Sequence, residues 1–137
     1  MKVLSLALAF AALAAAPARA DEYVAFLSPT GNIGCAIYTG GDYAEARCDL
    51  RELTPSYRKP PPGCDFDWGS SFAVGATGGG YLACVSDSVF DPGALTLGYG
   101  KSLTVGPFTC TSEKTGMTCL NPQGHGFKVA KAKQQLF

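Results

Sequence analysis

Histidine is almost missing from this sequence: His125 is the only one in 137 residues. A serine or cysteine nucleophile needs a nearby base, so one histidine leaves room for at most one such pair. No G-x-S-x-G elbow occurs, which removes the strand–turn–helix nucleophile of the α/β-hydrolases. No C-x-x-C pair occurs either. Structural zinc sites and thiol–disulfide oxidoreductases are built on that spacing, so neither is expected. Charge is sparse, at 16% of residues with a formal net charge of zero. A nucleic-acid binder shows a basic excess that is absent here. Gly100-Lys101-Ser102 resembles the end of a phosphate loop, but the motif needs glycine at position 95, where Leu95 stands. It reads as a turn entering a strand.

What is present begins with the N-terminus. Lys2 is followed by an apolar run from Val3 to Ala16, then Pro17 and Ala18-Arg19-Ala20. A positive start, a short apolar stretch and small residues before a cut site make a cleavable secretory signal. Cleavage is expected between Ala20 and Asp21. The run is short of the roughly 20 apolar residues that span a bilayer, and no later stretch is apolar enough to cross one. The expected mature chain, residues 21–137, has nine Lys and Arg against 11 Asp and Glu, a formal charge of −2. Low net charge with 47% hydrophobic residues argues against disorder. One domain, periplasmic or secreted, is expected.

Six cysteines follow: Cys35, Cys48, Cys64, Cys84, Cys110 and Cys119. An even number in a short exported chain reads as a disulfide framework. Six allow 15 pairings. Five of them have a less polar residue two positions earlier, Ile33, Ala46, Leu82, Phe108 and Met117. Positions two apart share a face of a strand, so these cysteines are expected to point inward. Thr39-Gly40-Gly41-Asp42 lies between Cys35 and Cys48, and Glu113-Lys114-Thr115-Gly116 between Cys110 and Cys119. Both are hairpin signals. The favoured pairing is therefore Cys35–Cys48, Cys64–Cys84 and Cys110–Cys119.

Between residues 24 and 132 the pattern predicts short strands at 24–27, 32–38, 44–50, 71–74, 81–86, 103–111, 117–120 and 126–132. Dense Gly and Pro breakers separate them, with Pro60-Pro61-Pro62 as a stiff connection. Such spacing predicts an all-β sandwich or barrel of short antiparallel strands, stapled by disulfides. A short helix over 129–137 is the alternative at the C-terminal end, where Ala, Lys and Gln favour helix.

Candidate site residues are few. His125 sits between two glycines and offers an acid, a base or an anion grip; the plainer role is a hydrogen bond at a strand entrance. A hydrolase reading needs Asp67 or Asp87 within hydrogen-bond reach of it. Asp65, Asp67, Asp87 and Asp91 are the calcium candidates, if a Cys64–Cys84 bridge gathers them; turn and cap chemistry is the simpler role. Trp68, the only tryptophan, is expected as a core hub against a disulfide, or else beside Tyr81 in a groove. Trp68, Tyr81, Tyr99 and His125 are the candidate binding residues. Lys128, Lys131 and Lys133 form a small basic patch.

Ser28-Pro29-Thr30-Gly31-Asn32-Ile33-Gly34-Cys35 opens a series of motifs. Arg47-Cys48-Asp49, Asp67-Trp68-Gly69, Ala83-Cys84, Phe108-Thr109-Cys110, Gly116-Met117-Thr118-Cys119 and Gly124-His125-Gly126-Phe127 continue it. In this order they resemble a family of small secreted or lipid-anchored bacterial proteins of unknown function. The resemblance covers most of residues 26–137. It implies a bacterial, exported, disulfide-bonded domain and carries no activity or catalytic residues. A lipid-anchor cysteine is missing here, which implies a soluble member. The expectation is a monomer without cofactor that binds an envelope protein, a peptide or a glycan. A small hydrolase using His125 and a structural envelope protein are the alternatives.

Overall fold

The computed structural model describes residues 11–14 and 21–137. The expected secretory signal, residues 1–20, lies outside the described residues except at positions 11–14. Among the described residues, no helix is long and apolar enough to cross a membrane.

The described residues form eleven strands: β1 Glu22–Leu27, β2 Ile33–Gly40, β3 Tyr43–Leu50, β4 Ser71–Gly75, β5 Tyr81–Leu82, β6 Leu95–Thr96, β7 Ser102–Val105, β8 Phe108–Glu113, β9 Gly116–Leu120, β10 Gly126–Val129 and β11 Gln134–Leu136. They make two sheets. The larger runs β5-β4-β3-β2-β1-β6 and the smaller β11-β10-β9-β8-β7. Every pairing is antiparallel except β1 with β6. The fold is all-β, a small sandwich, as the strand and breaker pattern predicts.

Alternation decides what is buried. Along β3, Ala46, Cys48 and Leu50 enter the core while Tyr43, Glu45, Arg47 and Asp49 face the other way. Each sheet contributes two fully buried phenylalanines, Phe26 and Phe72 from the larger, Phe108 and Phe127 from the smaller. Full burial of one such ring contributes up to about 3 kcal/mol.

The disulfides join Cys35 to Cys48, Cys64 to Cys84 and Cys110 to Cys119. Cys35 and Cys48 are register partners across β2 and β3, and Cys110 and Cys119 across β8 and β9. The two hairpin bridges meet in the core, with Cys48 Sγ 3.9 Å from Cys119 Sγ. Neither sulfur carries a hydrogen, so this is a packing contact between the sheets. Each bridge is worth about 2–4 kcal/mol.

Three local expectations are corrected. Residues 103–111 form a hairpin, β7 and β8, and not one strand. Gly106 has a φ of 54° and Pro107 follows it. A positive φ followed by proline's fixed negative φ suits a two-residue hairpin turn. The strand expected at 81–86 stops at Leu82, because Cys84 is tied to Cys64 and the chain then leaves the sheet. At the C-terminus, strand replaces both the long β10 and the short helix. Ala130 and Lys133 close a turn, and β11 returns along β10. Buried Gln134 fixes this end by accepting from Ser56 N–H and donating to the carbonyls of Thr54 and Ala130. Those bonds also anchor the loop of residues 51–70.

Candidate functional site

The outward face of the larger sheet holds the most developed site. Register sets it out in rows. Tyr23, Tyr38, Glu45 and Gly75 are successive partners across β1 to β4. Beside them run Ala25, Ala36, Arg47, Ala73 and Tyr81, reaching β5. The third row is Leu27, Gly34, Asp49 and Ser71. Alanine and glycine flank Arg47, so its long side chain lies on a floor of small residues.

Arg47 is 5% exposed although it points away from the core. The reason is a strap, residues 84–90, that crosses this face. Arg47 Nε donates to Asp49 Oδ1 at 2.8 Å and Nη2 to Asp49 Oδ2 at 2.9 Å. Nη1 donates to Asp87 Oδ1 and Nη2 to the Asp87 carbonyl, both at 2.9 Å. The strap adds a bond from Val89 N–H to Asp49 Oδ2 at 3.0 Å. Phe90 lies against Gly34, where an added methyl would fall 2.4 Å from the ring. The Arg51 guanidinium stacks 4.0 Å above the centre of Phe90. Burial works against the Arg47 charge, and its bonds to Asp49 and Asp87 outweigh that and raise its pKa. Hydrogen bonding from Arg47, then its charge, holds the Asp87 carboxyl below the usual range.

The strap covers one part of the face and leaves a cleft of about 440 Å³ beside it. Tyr23, Tyr38, Tyr43 and Tyr81 line the cleft with Glu45, Arg47 and Asp87. The rings of Tyr38 and Tyr43 are 5.6 Å apart and tilted. Tyr81 donates its hydroxyl proton to Glu45 Oε2. Partial burial pushes the Tyr43 phenol up to about 12, helped by the negative charge of Glu45. Burial and the bond to Glu45 raise Tyr81 as well. These phenols stay protonated, and the site offers aromatic faces, hydroxyls and carboxylate oxygens to a ligand.

The sequence-based candidates are scattered. Tyr81 is in the cleft. Tyr99 lies on the wall of a second cleft, about 750 Å³, together with Arg51, Lys114 and Lys131. Trp68 is 36% exposed and is not the core hub expected of it; four phenylalanines fill that role. His125 is exposed. Its backbone N–H donates to Asn121 Oδ1 and its carbonyl accepts from Asn121 N–H. Among the described residues, its imidazole forms no ion pair with a carboxylate. Asp87 is engaged by Arg47, and Asp67 bridges Val85 in the backbone. The acid–histidine pair of the hydrolase reading is not assembled.

The calcium grouping is not formed either. Among the described residues, no three acidic, cysteine or histidine groups gather as metal ligands. Asp65, Asp67, Asp87 and Asp91 are all exposed, and Asp91 caps its own turn at Gly93 N–H. The basic patch is tied down in part, with Lys131 3.0 Å from Glu52 and Lys128 bonded to Thr115. The residues missed from sequence are Tyr23, Tyr38, Tyr43, Glu45 and Arg47. The signal available was Tyr43-x-Glu45-x-Arg47-x-Asp49, a polar face at strand spacing.

A family of unknown function, DUF6636, matches over residues 2–137. The chain belongs to this family. Searches of curated proteins and of solved structures give no match. DUF6636 brings no activity with it, so the function of this member is argued from the cleft's own chemistry.

Proposed function

We propose that this chain is an exported binding module without catalytic activity, and that it recognises its partner through the tyrosine cleft. The partner is an envelope protein, a peptide or a glycan. One observation carries the reading: four tyrosines surround a small-residue floor whose guanidinium is already held by Asp49 and Asp87. A surface fixed in this way loses little freedom on binding, which favours affinity. Tyrosine supplies large contact area with a polar tip and is enriched at the centres of interfaces. Export is supported by the signal-like N-terminus and by three disulfides, which persist in oxidising compartments.

The test is native mass spectrometry on the protein from its host's envelope, beside a Tyr38→Ala, Tyr81→Ala double variant. The expected chain starts at Asp21, carries three disulfides, and shows a bound mass that the variant loses. A full-length reduced chain contradicts export. A bound mass retained by the variant moves recognition away from this cleft.

A further inference from the structure

Resting on the cleft as the recognition surface, we infer that its ligand is a basic peptide segment, entering with a lysine side chain. The argument is charge complementarity within an aromatic site. Asp49 and Asp87 bind a single guanidinium, that of Arg47, and Glu45 lines the same cleft as Arg47 and Asp87. Arg47 already uses four of its five N–H donors on Asp49 and Asp87. Its charge is therefore more than balanced, and it has little left to offer an anion. Among the described residues, no other lysine or arginine lines the cleft.

The bases are elsewhere: Arg51, Lys114 and Lys131 line the other cleft.

The acceptors match an ammonium. Glu45 accepts from Tyr81 through Oε2, and its charge lies beside the Tyr43 phenol. Asp87 uses Oδ1 on Arg47, which leaves Oδ2. Tyrosine faces within reach of a cation add an attraction that a neutral ligand lacks. A lysine ammonium has three donors on a flexible apolar stem, suited to hydroxyl and carboxylate acceptors above an aromatic wall. A glycan would use the aromatic faces and hydroxyls but leave the carboxylates without a counter-charge.

The experiment is an NMR titration of the protein as processed and secreted by an expressing bacterium. The probes are a capped Gly–Lys repeat peptide, the same peptide acetylated on its lysines, and a neutral chito-oligosaccharide. The lysine peptide is expected to shift the resonances of Tyr38, Tyr43 and Tyr81. Acetylation is expected to weaken binding about tenfold. Glu45→Gln should weaken it about fivefold, and a rise in ionic strength from about 0.01 M to about 0.15 M should weaken it further. Equal binding of the acetylated peptide, or binding of the oligosaccharide alone at the same tyrosines, overturns the charge inference and leaves the cleft standing. If no probe moves the tyrosine resonances, both fall.

Discussion

Arg47 and Asp49 stand two residues apart on one strand and form a two-bond ion pair, at 2.8 and 2.9 Å, on the face turned away from the core. Both are 5% exposed. Removing one partner from a buried pair strands the other charge, which costs about 3–5 kcal/mol. Asp87 keeps part of the guanidinium satisfied, so Asp49→Ala is expected at the lower end, about 3 kcal/mol. Arg47→Met with Asp49→Leu should be more stable than Asp49→Ala alone, because no buried charge is left over. Denaturant unfolding with an unchanged m-value reads this directly. A loss under about 1 kcal/mol for Asp49→Ala would mean the pair is solvated and the strap open.

Gly34 sets how closely the strap can lie. A methyl there would meet Phe90 ring atoms at 2.4 to 2.9 Å, so the ring must move. Its displacement would take Phe90 from beneath the Arg51 guanidinium. Gly34→Ala is expected to cost about 1–3 kcal/mol, the range for overpacking. Hydrogen exchange at Val89 N–H, which bonds Asp49, should quicken. Unchanged protection at Val89 would show that the strap does not depend on this contact.

The disulfide framework was legible because each hairpin bridge reflects local chemistry. Turn residues sit midway between Cys35 and Cys48 and between Cys110 and Cys119, and register makes each pair direct neighbours. The all-β class was legible for the same reason. The cleft was not. Arg47 is buried only because residues 84–90 return across the sheet, and no periodicity encodes that path. Tyr23, Tyr38 and Tyr81 come together from three strands, 58 positions apart at the extremes. Trp68 misled because size alone suggests a core hub, while its neighbours Asp67 and Gly69 belong to an exposed loop. Strand β6 has two residues, both exposed, and pairs with β1 without an apolar pattern of its own.

Acid should loosen the strap late. Arg47 holds the Asp87 carboxyl below its ordinary range, first by hydrogen bonding and then by charge. A carboxylate lowered in the folded state stabilises above its unfolded pKa, about 3.9. That contribution fades as pH falls through the lower folded value. Asp87→Asn is therefore expected to be less stable than the parent above about pH 4, with the gap narrowing under more acid conditions. The gap should be small, because the Asp87 side chain is 77% exposed and water screens it. Urea unfolding at a series of pH values measures it. A gap that widens on acidification would contradict the Arg47–Asp87 link.

The tyrosine cleft has a spectroscopic signature of its own. Phenols in the unfolded chain ionise near pH 10. Partial burial and Glu45 push Tyr43 up to about 12, and Tyr81 is raised by burial and by its bond to the same carboxylate. Below about pH 10 both states keep these protons, so the two groups add no pH dependence there. Above it, the unfolded phenols ionise while the folded ones resist, and stability falls as pH rises through the Tyr43 value. Absorbance titration of phenolate should show a late step from Tyr43 and Tyr81, lost in denaturant. Glu45→Gln should draw that step earlier without bringing it back to the free value, since burial remains. Failure of Glu45→Gln to move it would mean that Glu45 does not reach either ring, and the acidic wall of the cleft would have to be redrawn.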